Sequence, residues 1–342
     1  MAQSRKTLQP YSQEPAAKAI QQVLLARLKK MCALRERALD WNDSEGVHEM
    51  RVASRRLRSA LSDFKPYLPK GSVPIGDLKT IANQLGAVRD EDVVLAALSD
   101  LMASAGPEIR KGIKKISRRH QRRRTRARAD LAAAIGPKEI AGFRRDLRSK
   151  IRAATKISGD NSDRQDAAQI LTFSNVGVMV IGHRVKQLNK AGDCVYRPLK
   201  AKKLHNLRIV AKRLRYALEL FAPFSGDQLK EFAAEVARFQ TSLGELHDCD
   251  LWIDNLGTRL QNNTKSGDPI SRQRERDNEV AVWLLHHFAS ERTKHYCYAL
   301  ARWHKWKTEG FLDRLKANLK SVGVKDPTRQ KSGLSRNSSE DG

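Results

Sequence analysis

Residues 48–66 (HEMRVASRRLRSALSDFKP) align without a gap on residues 205–223 (HNLRIVAKRLRYALELFAP), and this internal repeat constrains the fold more than any other feature of the chain. The identities are His48/His205, Arg51/Arg208, Arg56/Arg213, Leu57/Leu214, Arg58/Arg215, Ala60/Ala217, Leu61/Leu218, Phe64/Phe221 and Pro66/Pro223, all at an offset of 157. The same offset pairs Arg27 with Arg184. An offset of 158 pairs Leu85, Gly86, Asp90 and Asp92 with Leu243, Gly244, Asp248 and Asp250. A solenoid needs roughly three stacked copies or more, so a duplication predicts two helical bundles related by a pseudo-two-fold axis. The halves are expected at 11–157 and 166–322. The polar stretch SGDNSDRQD at 158–166 reads as their linker, and the Ser-rich segment 326–342 as a disordered tail.

The fold class expected is all-α. Apolar residues recur at three and four rather than two, and no strand is read. Ile20, Val23, Leu24, Leu28, Met31 and Leu34 form a helical stripe that stops near Trp41 and the turn-forming stretch 42–46. A second helix starts around Val47, with Asp43 or Ser44 as its cap, and stops at Pro66 and Pro69. A third spans about 77–104, before Gly106 and Pro107, and a fourth 108–135, closed by Gly136 and Pro137.

Charge narrows the function. The 342 residues carry 65 Lys and Arg against 38 Asp and Glu, a net +27 that repels itself unless an anion relieves it. Four scattered cysteines, Cys32, Cys194, Cys249 and Cys297, fit a reducing, cytoplasmic setting. No stretch approaches the ~18 apolar residues of a membrane span, and no export signal is read.

The repeated box places that charge. At 100° per residue, Met50, Ala53, Leu57, Ala60, Leu61 and Phe64 share one face. His48, Arg51, Arg55 and Arg58 lie opposite, as do His205, Arg208, Lys212 and Arg215 in the second copy. A solvated face usually mixes signs at four-residue spacing, whereas these stripes carry one sign only. A phosphate-bearing polymer would turn their repulsion into attraction, and Arg suits it through its planar fork. If the halves pack about a dyad, the two stripes share one cleft. The run 110–128 (RKGIKKISRRHQRRRTRAR), with Arg118, Arg119 and Arg122, is a basic amphipathic helix whose seam is Ile109, Ile113 and Ile116. The second half has no equally dense counterpart.

Asp92 and Asp250 fall in the apolar seams of their helices, and a carboxylate there needs a cation. The expected partners are Arg56 for Asp92 and Arg213 for Asp250, with Arg27 and Arg184 as rivals. His48 and His205 read as phosphate donors rather than metal ligands. No P-loop, nucleophile elbow or zincin motif is present, so no catalytic seat, metal or cofactor is expected. Trp283, Trp303 and Trp306 are assigned to core or interface.

The boxes H-x-x-R-x-x-x-[RK]-R-L-R and L-G-x-x-x-D-x-D, each present twice, resemble the CHAD family, the conserved histidine α-helical domains, over roughly residues 11–322. The resemblance implies a basic cleft that binds inorganic polyphosphate without catalysis, and association with polyphosphate granules. It carries the ligand role to His48, Arg51, Arg55, Arg56 and Arg58 and to His205, Arg208, Lys212, Arg213 and Arg215. Relatives are often fused to a triphosphate tunnel domain, and this chain reads as a stand-alone copy. His247 stands where the first copy has Arg89, so the copies should contribute unequally. The alternatives are binding of RNA or DNA, which shares the electrostatics but calls for stacking aromatics, and a metal-dependent polyphosphate hydrolase, which calls for an acid cluster.

Overall fold

The computed structural model describes residues 14–43, 45–156, 171–225, 228–265 and 271–323. The expected linker and tail, and Ser44, lie outside them. Eleven α-helices make up the described residues: α1 (Ala16–Ala33), α2 (Arg35–Leu39), α3 (Gly46–Phe64), α4 (Gly76–Ser104), α5 (Pro107–Ala134), α6 (Pro137–Ala154), α7 (Phe173–Gly192), α8 (Ala201–Ser225), α9 (Gln228–Lys265), α10 (Arg272–Thr308) and α11 (Phe311–Gly323). The chain is all-α, as the periodicity predicts. None of these helices is long and apolar enough to cross a membrane.

Local chemistry explains the boundaries. Asp43 Oδ1 accepts from the backbone N–H groups of Glu45 and Gly46, at 3.0 and 2.9 Å, which serves the orphan donors that open α3. Pro66 sits in a 3-10 turn that follows α3, and Pro107 and Pro137 occupy the first positions of α5 and α6, where a missing N–H does no harm.

The two halves repeat one packing order. Helix α3 packs on α1 and α4, and α8 on α7 and α9; α4 pairs with α5, and α9 with α10; α6 lies on α1, and α11 on α7. Across the halves, α1 meets α7, α3 meets α8 and α5 meets α10. The chain entries to α1 and α7 touch through one antiparallel bridge, Pro15 to Thr172, at the repeat offset. There Ala16 donates its backbone N–H to the Leu171 carbonyl (2.9 Å), and Phe173 to that of Glu14 (3.2 Å).

One apolar core runs through both halves. At its centre the Phe64, Phe173 and Phe221 rings meet at centroid distances of 5.0 to 6.1 Å. Each ring taken from water contributes about 2 kcal/mol, so this junction ties α3, α7 and α8 together. A second cluster lies where α4, α5, α9 and α10 meet, built on Leu98, Ile113, Leu256, Val280 and Leu284 with Trp252 stacked on Phe288. Gly112 permits that crossing, since a Cβ there would strike Val280 of α10. Ile113 is buried in this cluster and Ile109 and Ile116 pack on it, while Trp303 and Trp306 are buried in the main core.

Candidate polyanion-binding cleft

The contact of α3 with α8 brings the two stripes together. Arg55 is lowered from the ordinary guanidinium range, first by burial and then by the cations Arg51, Arg215 and Arg208; Tyr216 acts the other way. Lys212 is lowered to about 8, first by burial and then by Arg208, Arg55, Arg51 and Arg58. These shifts have one physical origin: same-sign groups from two helices crowd a partly shielded space. The ring nitrogen Nδ1 of His48 and of His205, and Nε of Arg55 and Arg208, are shielded from solvent and lack a hydrogen-bond partner. Such atoms are poorly served until an acceptor arrives.

The second box supplies the walls. Gly86 and Gly244 lie beneath the Nε atoms of Arg51 and Arg208, where a Cβ would stand 3.9 and 3.5 Å away, in ordinary van der Waals contact. Arg51 Nη2 reaches Asp90 Oδ1 at 3.1 Å. Asp248, at the matching position, is raised to about 6, chiefly by burial, and lies within the electrostatic reach of Arg208, Glu245, Asp90 and Arg51. His247 is lowered to about 4 by burial and then by His205 and Arg208, and its ring lies 4.1 Å from that of His205. His48 and His205 are also lowered, first by burial and then by neighbouring cations, Arg89 and Arg208 foremost. Asp90, Asp248, Arg89 and His247 therefore join the cleft. Their signal in the sequence is the second box itself, where the Arg89/His247 difference points to unequal copies and the acids are read only through Asp92 and Asp250.

The expected partners of Asp92 and Asp250 require correction. Arg124 of α5 holds Asp92 (Nε to Oδ1, 2.5 Å), and Arg292 of α10 holds Asp250 (2.6 Å) while also donating to the Pro198 carbonyl (2.7 Å). The hairpin partner helix, rather than the repeat box, carries the cation to the seam. Arg56 instead meets Glu219 of α8 at 3.0 Å, and Arg213 is exposed. At 80° from His48 both lie off the stripe, so they do not face the cleft with it. Arg27 donates to the Arg56 carbonyl (2.8 Å), and Arg184 binds Asp63 (2.6 Å), so neither serves Asp92 or Asp250.

Arg118, Arg119 and Arg122 are exposed on α5, a helix packed chiefly on α4 and α10. The inward side of α5 carries His120, bound to Glu91 at 2.6 Å, and Arg128, whose guanidinium covers the Trp41 ring at 4.6 Å. Tyr216, the aromatic beside the stripe, is buried beneath Arg215, 4.9 Å from its ring. Among the described residues no three His, Cys, Asp or Glu side chains are grouped to hold a metal ion.

Residues 22–257 match the CHAD domain family. Two proteins of Mycobacterium tuberculosis, the uncharacterized protein MT2285 of strain CDC 1551 / Oshkosh and the uncharacterized protein Rv2226 of strain ATCC 25618 / H37Rv, are each 26% identical over 250 residues. That stretch is 70% of this chain and 45% of each relative, so the chain spans less than half the length of the curated relatives it matches. Among solved structures, the CHAD domain from the plant Ricinus communis superposes with a TM-score of 0.64 at 20% identity, covering 86% of this chain and 93% of that one. PptA from Streptomyces chartreusis superposes at 0.60 and 13% identity, covering 85% and 100%. At these identities the superpositions speak for the fold alone.

Proposed function

The chain belongs to the CHAD domain family, and from that premise we propose that it binds inorganic polyphosphate, without turning it over, in the cleft between α3 and α8. The observation that carries the reading is the convergence of His48, Arg51, Arg55 and Arg58 with His205, Arg208, Lys212 and Arg215, in which Arg55, Arg208 and both histidines keep shielded, unpartnered nitrogens. A polymer with a negative charge on every phosphate and acceptor oxygens along its length meets both needs, the crowded charge and the vacant donors. The halves act as a pseudo-two-fold pair about the cleft, a reading supported by the reciprocal bonds between Glu14–Ala16 and Leu171–Phe173 and by the contacts of α1 with α7 and α3 with α8. The protein would then sit in the cytoplasm on polyphosphate granules.

Nucleic acid shares the electrostatics but gains much of its single-strand affinity from stacking on exposed rings, and the ring nearest the stripe, Tyr216, is buried. The test is competition at matched, physiological salt, because salt weakens all such binding. Long-chain polyphosphate is expected to displace labelled duplex DNA; the reading fails if duplex DNA wins. In the same preparation, sustained orthophosphate release on adding a divalent metal would make the protein an enzyme instead.

A further inference from the structure

We propose that the cleft opens on one face of the molecule into a groove of about 880 Å3 and that this groove takes the next stretch of the same polyphosphate chain. The proposal rests on the polyphosphate reading above and adds to it a direction. The groove is lined by Arg27 and Lys30 of α1, His48 and Arg56 of α3 and Lys230 of α9. His48 makes it continuous with the cleft, because the same ring feels Arg51, Arg55 and Arg89 there and its Nδ1 has no partner.

Basic side chains outnumber acidic ones along the groove. Both carboxylates that line it are already engaged, Glu219 by Arg56 and Arg215, and Glu49 by Arg37. Arg27 makes no ion pair among the described residues and is lowered to about 10, first by burial and then by Arg56, with Glu219 and Asp63 acting the other way from beyond ion-pair distance. Its counterpart at the repeat offset, Arg184, is neutralised by buried Asp63, whose own counterpart is Leu220. The first half thus gives the second half's Arg184 a buried acid, whereas the second half offers Arg27 a leucine, Leu220, at the matching position.

Shape follows the same asymmetry. Ala53 and Ala222 line the groove, whereas the matching positions on the other face are Val210 and Lys65. On α9, Ala233, Ala234 and Ala237 keep the opposite wall low. Small side chains leave width for a slim inorganic chain, and the cations on the rim supply its contacts.

The experiment is a titration of the full chain, at matched salt, with long-chain polyphosphate, with tripolyphosphate and with ATP. Two variants, Lys30→Glu and Ala234→Glu, lie at exposed positions; thermal melting confirms that each is folded. Each variant is expected to lose about tenfold in affinity for the long chain, with a salt slope shallower by about one, while tripolyphosphate binding moves less than about twofold. Equal losses for both ligands, or no loss for either, would overturn the groove assignment. So would a loss of ATP binding with long-chain affinity intact, which would assign the groove to an organic phosphate. Failure of the unmodified chain to bind polyphosphate of either length overturns the underlying function, an outcome distinct from all of these.

Discussion

The two copies of the repeated box occupy matching places yet are built from chemically different parts. On the first copy's side stand Arg55 and Arg89, and Asp90 is exposed and bound to Arg51. The second copy has Lys212 and His247 at the matching positions, and Asp248 is partly buried, with its carboxyl raised to about 6. The second copy's wall therefore holds a lysine and a carboxyl moved toward neutral pH where the first holds Arg55 and the exposed Asp90. The structural pairs divide too: Arg184 has Asp63, while Arg27 has none. The aligned boxes alone would make two equal walls; these differences make the second the more responsive to pH.

The sharpest way to break this comparison is at Asp63. Its side chain is almost wholly buried and holds Arg184 across the halves, so Asp63→Ala leaves a shielded guanidinium uncompensated and should cost about 3 kcal/mol of unfolding free energy. Chemical denaturation measures it. The double variant Asp63→Leu, Arg184→Leu should recover most of that loss, because an apolar pair of similar volume replaces a costly ion pair. No recovery would mean that Arg184 serves something besides Asp63. The next effect is on binding. Reversing one anchor on each wall, Arg51→Glu with Arg208→Glu, should weaken polyphosphate binding by at least about a hundredfold with the melting temperature little changed. A variant that still binds within tenfold of the parent would move the ligand away from α3 and α8.

Much of this was legible in the sequence because periodicity and repetition are local or self-referential. The 3.6-residue pattern marked α3, α4 and α5 near their true ends, and the alignment of 48–66 on 205–223 marked the stripes that meet. What stayed hidden depends on which helix faces which seam. Arg124 lies in a run of eleven cations, where nothing singles it out as the partner of Asp92, and Arg292 follows at a different offset, so the alignment does not pair them. Asp63 aligns with Leu220 and so falls outside every repeated motif, though it carries a buried link between the halves. Asp90 and Asp248 were in view, but two-residue spacing on a helix shows only that they point away from Asp92 and Asp250 and not what they point toward.

The remaining predictions sharpen the contrast between the two walls. Lys212 is lowered to about 8 in the free protein, so it loses its charge as pH rises through that value, and a bound polyanion favours the charged form. Linkage then makes binding weaken on the alkaline side, by about tenfold between pH 7 and 9. Lys212→Arg keeps the charge and should flatten that limb; an unchanged limb would place the titrating group elsewhere. The smallest effect is at Asp248. At pH 7 its carboxylate, with a value raised to about 6, opposes an incoming phosphate, and protonation below about 6 removes the opposition. Asp248→Asn should therefore bind about threefold more tightly at pH 7, and the gap between variant and parent should close below pH 6. His48 and His205, lowered from the ordinary imidazole value, and His247, lowered to about 4, add positive charge as the solution is acidified, so both proteins should bind more tightly as pH falls. It is the difference between the two curves that reports Asp248, and a gap that persists at pH 5 would mean the asparagine acts through packing rather than charge.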